Sequence, residues 1–378
     1  MRLLVITNDF PPRPGGIQQY VHNLLVRLDP ERWEVTVLTS RWDGWEAFDA
    51  AQPFEVVRAP TTMLLPTRSA LGQAVDLVER VKPDLVLFGA AFPLGLLARR
   101  ITAATGVGCM GFGHGVEVAM AATPASRALM ARVAGDLRLL TGVSRWAAAR
   151  VERAAKGRCP VELLVSGVSV DDYHPSVDGS AVRAANGLGD DPVCVCVSRL
   201  VPRKGQDVLI QAWPEVVARV PSARLLLVGG GPSAKRLRRL AARAGPAGER
   251  IHLTGAVPWA ALPAHYAAGD VFAMPCRTRW GGLDLEALGV VFLEAAATGL
   301  PVVAGDSGGA PETVAPGVTG SVVDGRDRAQ VAGAVADLLG DRELARAWGA
   351  AGRARVEAEF AWPAVAERFA ALLDQAAG

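Results

Sequence analysis

The sequence predicts an α/β chain of two doubly wound, parallel-sheet domains. Three observations carry this. The chain has 378 residues, beyond the roughly 250–300 at which a single hydrophobic core stops growing. Short runs rich in Val and Leu alternate with amphipathic helical stretches, the pattern of buried parallel strands joined by crossover helices. That pattern halts in a stretch at 166–192 bearing Gly, Asp and Pro, then restarts.

In the first half, strands are expected at 3–7, 35–39, 55–58, 84–89 and 137–142, with helices near 17–28, 70–81, 94–104 and 146–155. Lys82-Pro83-Asp84 closes a helix and opens a strand, because proline disfavours the α region in the residue before it. In the second half, strands are expected at 193–198, 223–229, 250–255, 271–275, 301–305 and 320–324. Helices are expected at 206–220, 234–244, 259–268, 290–298, 328–339 and 342–359. The boundaries follow: a Rossmann-like domain at 1–170, a linker at 171–192, a second Rossmann-like domain at 193–360, and a helix at 361–378 crossing back to the first domain. Ligands of such sheets sit outside the carboxyl ends of the strands, so a cleft lined by two such edges is the expected site.

Composition removes several classes of function. Half the residues are hydrophobic and 21% are charged, which excludes global disorder. Forty basic residues against 38 acidic give a net charge of +2, so no electrostatic case exists for a nucleic-acid partner. Five cysteines are too sparse for a disulfide framework. The Cys194-x-Cys196 pair lies in an alternating Val run with no second ligand pair, so it reads as strand core and not zinc. No apolar run reaches the roughly 18–20 residues of a membrane span. No signal segment is visible, and a cytoplasmic chain is expected, with peripheral contact at the inner face of the cell membrane as an option. That option rests on Arg127, Leu129, Met130, Arg132 and Val133 of one helix, a pattern commoner in an ordinary amphipathic helix packed on its sheet.

A few residues are placed to carry chemistry. Gly15-Gly16 stands where a helix begins, and consecutive glycines there let backbone N–H groups approach an anion. A plain tight turn has the same look, and no G-x-G-x-x-G follows the first strand. Arg199 and Lys204 lie in the first loop of the second half, just before Gly205 and a helix. Two cations and a helix N-terminus suit a diphosphate, although a solvated basic loop is the commoner outcome. Neighbouring Arg203 is expected to face solvent.

Glu286 and Glu294 are eight positions apart. Both could lie on one helix face; if Gly289 starts the helix, Glu286 sits instead in the loop above its N-terminus. Gly308-Gly309-Ala310-Pro311-Glu312 reads as another glycine-to-helix turn. His114, between Gly113 and Gly115, is a candidate for close approach to a ligand, though a lone histidine is usually structural. There is no Asp-x-Asp or H-E-x-x-H motif, hence no sequence case for a metal.

In combination these marks resemble the family 4 retaining glycosyltransferases of GT-B fold, over essentially the whole chain. The carriers are Glu286…Glu294, the Arg199/Lys204 pair and the Gly15-Gly16 loop. Within that family the segments 8–12, 15–18, 198–207, 272–279 and 307–313 are most similar to actinobacterial GDP-mannose-dependent mannosyltransferases acting on phosphatidylinositol mannoside. The resemblance implies a nucleotide-sugar donor, most simply GDP-mannose, a lipid or glycolipid acceptor, and no cofactor or metal. It implies that Arg199 and Lys204 neutralise the donor diphosphate and that Glu294 binds the ribose hydroxyls. Glu286 with the N–H groups of Leu288, Gly289 and Val290 would hold the sugar. His114 would sit at the sugar's C6 hydroxyl, Gly16 would close on the diphosphate, and Asp9, His114 and Gly115 would border the acceptor. The chain departs from that pattern at Val116, where a second histidine is expected, at Ala119-Met120 and at Ser169.

Rival readings remain: another nucleotide sugar with a different acceptor, a sugar-nucleotide epimerase of the same architecture, or a non-catalytic nucleotide-sugar-binding protein. A nicotinamide dehydrogenase is disfavoured by the missing dinucleotide fingerprint.

Overall fold

The computed structural model describes residues 1–378. Its contacts divide into two compact units, one of residues 1–167 with 362–378 and one of residues 168–361.

The first unit holds seven parallel strands: β1 (Arg2–Ile6), β2 (Glu34–Ser40), β3 (Glu55–Ala59), β4 (Leu85–Phe88), β5 (Gly108–Gly113), β6 (Leu139–Gly142) and β7 (Val161–Leu163). They are ordered β3-β2-β1-β4-β5-β6-β7. Strands β1 and β4 are wholly buried apart from Arg2, as expected of strands covered by helices on both faces. The C-terminal helix Trp362–Ala377 belongs to this unit. It buries Trp362, Val365, Phe369, Leu372 and Leu373, and Arg138 donates to its last carbonyls, those of Ala376 and Ala377.

The second unit holds six parallel strands: β8 (Val193–Val197), β9 (Arg224–Val228), β10 (Ile251–Gly255), β11 (Val271–Met274), β12 (Val302–Gly305) and β13 (Gly320–Val323). Their order is β10-β9-β8-β11-β12-β13. Cys194 and Cys196 are buried core residues of β8. The stretch read from sequence as a linker carries a short helix, Ser180–Ala185. This stretch packs on the second unit against the helix Leu262–Ala267 and the turn that leads into β11: Arg183 bonds Asp270 at 2.8 Å and Tyr173 meets Tyr266 edge to face at 5.5 Å.

The strand order reverses between β1 and β4 in one sheet and between β8 and β11 in the other. The loops leaving those strand pairs splay apart and leave a crevice at the carboxyl edge, where ligands of such folds bind. The segments 7–16 and 89–93 therefore frame the switch point of the first unit, and 198–205 and 275–289 that of the second.

Candidate active site

In the second unit, β8 delivers Ser198 through Gly205 to the switch point. Arg199 is exposed at the crest of this loop. Its carbonyl and the Ser198 hydroxyl both accept from the Gln206 side chain, at 3.1 and 2.7 Å, which fixes the loop to the following helix. Lys204 is buried, and its Nζ lies 2.7 Å from Glu286 Oε2. Gly205 then turns the chain into the Gln206–Arg219 helix with φ 78°. A Cβ there would stand 1.9 Å from the Pro275 carbonyl oxygen, so only glycine fits both the backbone conformation and the space.

Strand β11 delivers the opposite wall. Gly289 is the N-cap of the Val290–Ala297 helix, with φ 90°. Of the two arrangements open from the eight-residue spacing, Glu286 thus takes the loop above the helix N-terminus and Glu294 the helix itself. Glu286 is buried. Its N–H donates to Ser307 Oγ at 3.1 Å and its carbonyl accepts from Gly309 N–H at 3.0 Å, so the 307–313 turn holds the Glu286 backbone in place. The N–H groups of Leu288, Gly289 and Val290 donate to no acceptor in the chain. They are the orphan donors of a helix start, where the helix dipole also favours negative charge.

Arg203 does not sit freely in solvent, contrary to the sequence expectation. It is only 31% exposed, with Nη1 3.5 Å from Asp284 and Nε 3.8 Å from Glu286 Oε2. The cause is Asp284, four positions beyond Trp280, which also pairs with Arg279 at 3.2 Å. The Gly308–Glu312 turn does precede a helical segment, but this is a single 3-10 turn, Ala310–Thr313.

Glu294 is buried. Its Oε2 accepts from the Tyr266 hydroxyl at 2.5 Å. Burial is the main influence on its pKa and pushes it up, while Tyr266, Tyr173 and Lys204 pull it down. Sequence reading found Glu294 but not the tyrosines, which are 28 and 121 positions away and carry no local motif.

In the first unit, His114 caps the Gly115–Met120 helix and is buried. Its Nε2 lies 3.0 Å from the Gly89 carbonyl. A carbonyl only accepts, so Nε2 carries the proton and Nδ1 is the ring's acceptor. Burial pushes the His114 pKa down to about 4, and the ring is neutral at physiological pH. Glu117 is fully buried beneath it, with Oε2 accepting from His114 N–H and Oε1 from Phe92 N–H, each at 2.9 Å. Burial pushes the Glu117 pKa up, against the pull of these bonds. Glu117 went unread in the sequence; its signal is an acidic residue three positions after an N-cap, half of a capping box.

Asp9 lies on the same side of the first sheet. It accepts from the Gln18 side chain at 2.7 Å, and burial raises its pKa against the pull of Arg13. Gly15 precedes the Gly16–Leu25 helix. A Cβ on Gly15 would meet Gln18 Oε1 at 2.0 Å, whereas Gly16 has open space about it. Gly115 has open space likewise, and Val116 is 55% exposed. The first-unit candidates thus gather at one switch point, and Arg199, Lys204, Glu286, Leu288, Gly289, Val290 and Glu294 at the other.

Comparison with known proteins bears on this arrangement. Residues 14–172 match the Glycosyltransferase Family 4 domain and residues 180–355 the domain of Glycosyl transferases group 1. A GDP-mannose-dependent alpha-(1-6)-phosphatidylinositol monomannoside mannosyltransferase of Mycolicibacterium smegmatis is 45% identical over 98% of both chains. The chain belongs to this glycosyltransferase family. The Corynebacterium glutamicum relative, acting on the monoacylated acceptor by its name, is 42% identical over 98% of this chain and 97% of its own. Among solved structures, Anabaena HepE in complex with UDP and glucose superposes with a TM-score of 0.82 at 20% identity, covering 99% of each chain. A sucrose-phosphate synthase from Thermosynechococcus elongatus gives 0.79 at 23% identity, covering 99% of this chain and 98% of its own. These two establish the GT-B fold of this glycosyltransferase. No helix is long and apolar enough to cross a membrane.

Proposed function

We propose that this glycosyltransferase moves mannose from GDP-mannose to a hydroxyl of a phosphatidylinositol mannoside, with retention of configuration at the anomeric carbon. The observation that carries the proposal is end-to-end identity of 45% to a relative named for that reaction. The geometry supports the donor half. The Lys204–Glu286 pair stands over three orphan N–H groups at a switch point.

In this reading the C1–O bond to the diphosphate breaks and a C1–O bond to the acceptor forms on the same face. The acceptor's proton passes to a diphosphate oxygen. Arg199 and Lys204 neutralise the leaving group, so the scheme requires no metal and no cofactor. A diphosphate competes with Glu286 for the three donors of Lys204; the carboxylate so released accepts from sugar hydroxyls, while the N–H groups of Leu288, Gly289 and Val290 face the sugar and its phosphate. In this reading Glu286 is a hydroxyl acceptor and not a covalent nucleophile. Glu294 takes the ribose hydroxyls. In the first unit, Gly15 and Gly16 offer N–H groups to an anion. Neutral His114 sits at the C6 hydroxyl of the sugar, and Asp9 and Gly115 border the acceptor.

A lipid acceptor requires the protein to reach a bilayer surface. Arg132 and Leu129 are exposed on the Pro124–Ala134 helix, whereas Met130 and Val133 are buried against the fold. The contact surface therefore combines Arg132 with Leu129 and the smaller apolar Ala125 and Ala128, and sedimentation with anionic vesicles tests it. The reaction is tested by incubating purified protein with GDP-mannose and phosphatidylinositol monomannoside and detecting the dimannoside by mass spectrometry. Formation of that product supports the proposal. Transfer only from a different nucleotide sugar, or only to a different acceptor, overturns it.

A further inference from the structure

The least expected feature of the second unit is a buried cluster of three acidic side chains, one carboxyl and two phenols, around the middle of the Val290–Ala297 helix. Tyr266 is fully buried and donates to Glu294 Oε2 at 2.5 Å. Tyr173, 5% exposed, turns its hydroxyl toward the same carboxylate. That hydroxyl is enclosed and makes no hydrogen bond of good geometry within the chain. The two rings pack edge to face at 5.5 Å, and Tyr266 stacks on Phe272 at 5.7 Å. Arg353 completes the frame. Its Nη1 donates to the carbonyls of Val170 and Tyr173, at 3.0 and 2.6 Å, and to that of Ala297 at 2.8 Å. One guanidinium thus ties the strand of chain carrying Tyr173 to the end of the helix carrying Glu294.

A buried carboxylate is costly unless its lone pairs are satisfied. Oε2 accepts from Tyr266, the one hydrogen bond of full geometry to this carboxylate, with the Tyr173 hydroxyl close by. The rotamer is therefore fixed from one side and the remaining lone pairs are left for a ligand. A vicinal diol supplies two donors to such a carboxylate. We infer that Tyr266 and Tyr173 are positioning residues of the donor site: they hold the Glu294 carboxylate and present it to the ribose 2′,3′-diol of the nucleotide sugar. This rests on the donor reading proposed above. The phenols touch no reacting atom; they act through Glu294.

The test compares wild type, Tyr266→Phe and Tyr173→Phe with GDP-mannose and with its 2′-deoxyribose analogue. For Tyr266→Phe we expect KM for GDP-mannose to rise about tenfold, equivalent to ~1.4 kcal/mol, with kcat changed less than threefold. With the deoxy analogue the same substitution should raise KM less than threefold, because the interaction that it weakens is already missing. Tyr173→Phe should show the same pattern at smaller size. A pH profile gives a second readout. The ionisable groups facing the carboxylate are Tyr266, Tyr173 and Lys204, with Cys196 beyond Tyr266. Removing a phenol donor raises the Glu294 pKa, so KM in Tyr266→Phe should climb on the acid side at a higher pH than in wild type.

Equal penalties on ribose and deoxyribose donors, or an unchanged KM and pH profile, would overturn the inference and leave the tyrosines as packing. If Tyr266→Phe fails to fold, the ribose-to-deoxyribose comparison in Tyr173→Phe decides alone. A wild-type protein that binds no GDP-mannose would instead sink the donor reading, a separate outcome visible before any variant is made.

Discussion

The two switch points are built on the same strand geometry and carry opposite chemistry. The second unit crowds charge together: Lys204, Arg203, Glu286, Asp284 and Arg279 are linked by contacts of 2.7 to 3.8 Å. The first unit presents a neutral imidazole, with its pKa down at about 4, above a buried glutamate committed to two backbone N–H groups. A diphosphate leaving group gains negative charge as its bond to carbon breaks, and fixed cations in a partly buried site stabilise that charge strongly. Such groups suit the second unit. A ring that does not protonate suits a hydrogen bond to a neutral hydroxyl. In the function proposed above, the difference teaches how one architecture would separate charge stabilisation from neutral recognition by assigning each to its own sheet edge.

That contrast can be broken by substitution. The largest effect is expected at Lys204. Lys204→Ala should lower kcat by more than about 100-fold, a barrier cost of roughly 3 kcal/mol like that of an oxyanion donor; steady-state kinetics with GDP-mannose checks it. Near wild-type turnover would remove the leaving-group role. Next comes Glu117→Ala, which strands the Phe92 and His114 N–H groups. Thermal denaturation should show a loss of about 2–3 kcal/mol, with the first unit's function lost through stability and not through charge.

The His114 environment gives a pH prediction with a definite sign. Its folded pKa lies below the ordinary 6.5, so between pH 6.5 and about 4 the unfolded chain binds more protons than the folded one. Stability then rises with pH across that window and falls on acidification. In His114→Asn this part of the slope should vanish, measured as denaturant midpoint against pH. The smallest effect is expected at Ser307→Ala. It removes the acceptor of the Glu286 N–H and should cost about 1 kcal/mol of stability, with a modest rise in the donor KM.

Much of the fold was readable because parallel strands buried on both faces are continuous apolar runs. All six strands of the second unit lie within a residue or so of their expected places. What escaped reading has physical causes. Strand β5, Gly108–Gly113, has the sequence GCMGFG, and glycine-rich stretches do not look like strands. Its glycines answer to neighbours far away in sequence: a Cβ on Gly113 would stand 2.4 Å from the Thr141 carbonyl. Strand β7 has only three residues and the helix Trp45–Ala50 only six, too short for any periodicity to register. The segment 171–192 looks like a linker by composition, yet Tyr173 and Arg183 bind it to the second unit through partners about 90 positions on. At the site, the glycines and charges of the loops were legible because loop chemistry is local. The groups that aim them, Tyr266 for Glu294 and Ser307 for Glu286, were not, because only the tertiary structure brings them near.

The central claim, that the second unit's Lys204–Glu286 pair is the diphosphate site, is tested most directly by nucleotide affinity. Calorimetry should compare GDP with GMP on the wild type and on Lys204→Ala. The account predicts that the wild type binds GDP tighter than GMP by about 100-fold, roughly 2.7 kcal/mol, and that the variant loses most of that preference while binding GMP much as before. A GDP preference that survives in Lys204→Ala would contradict it.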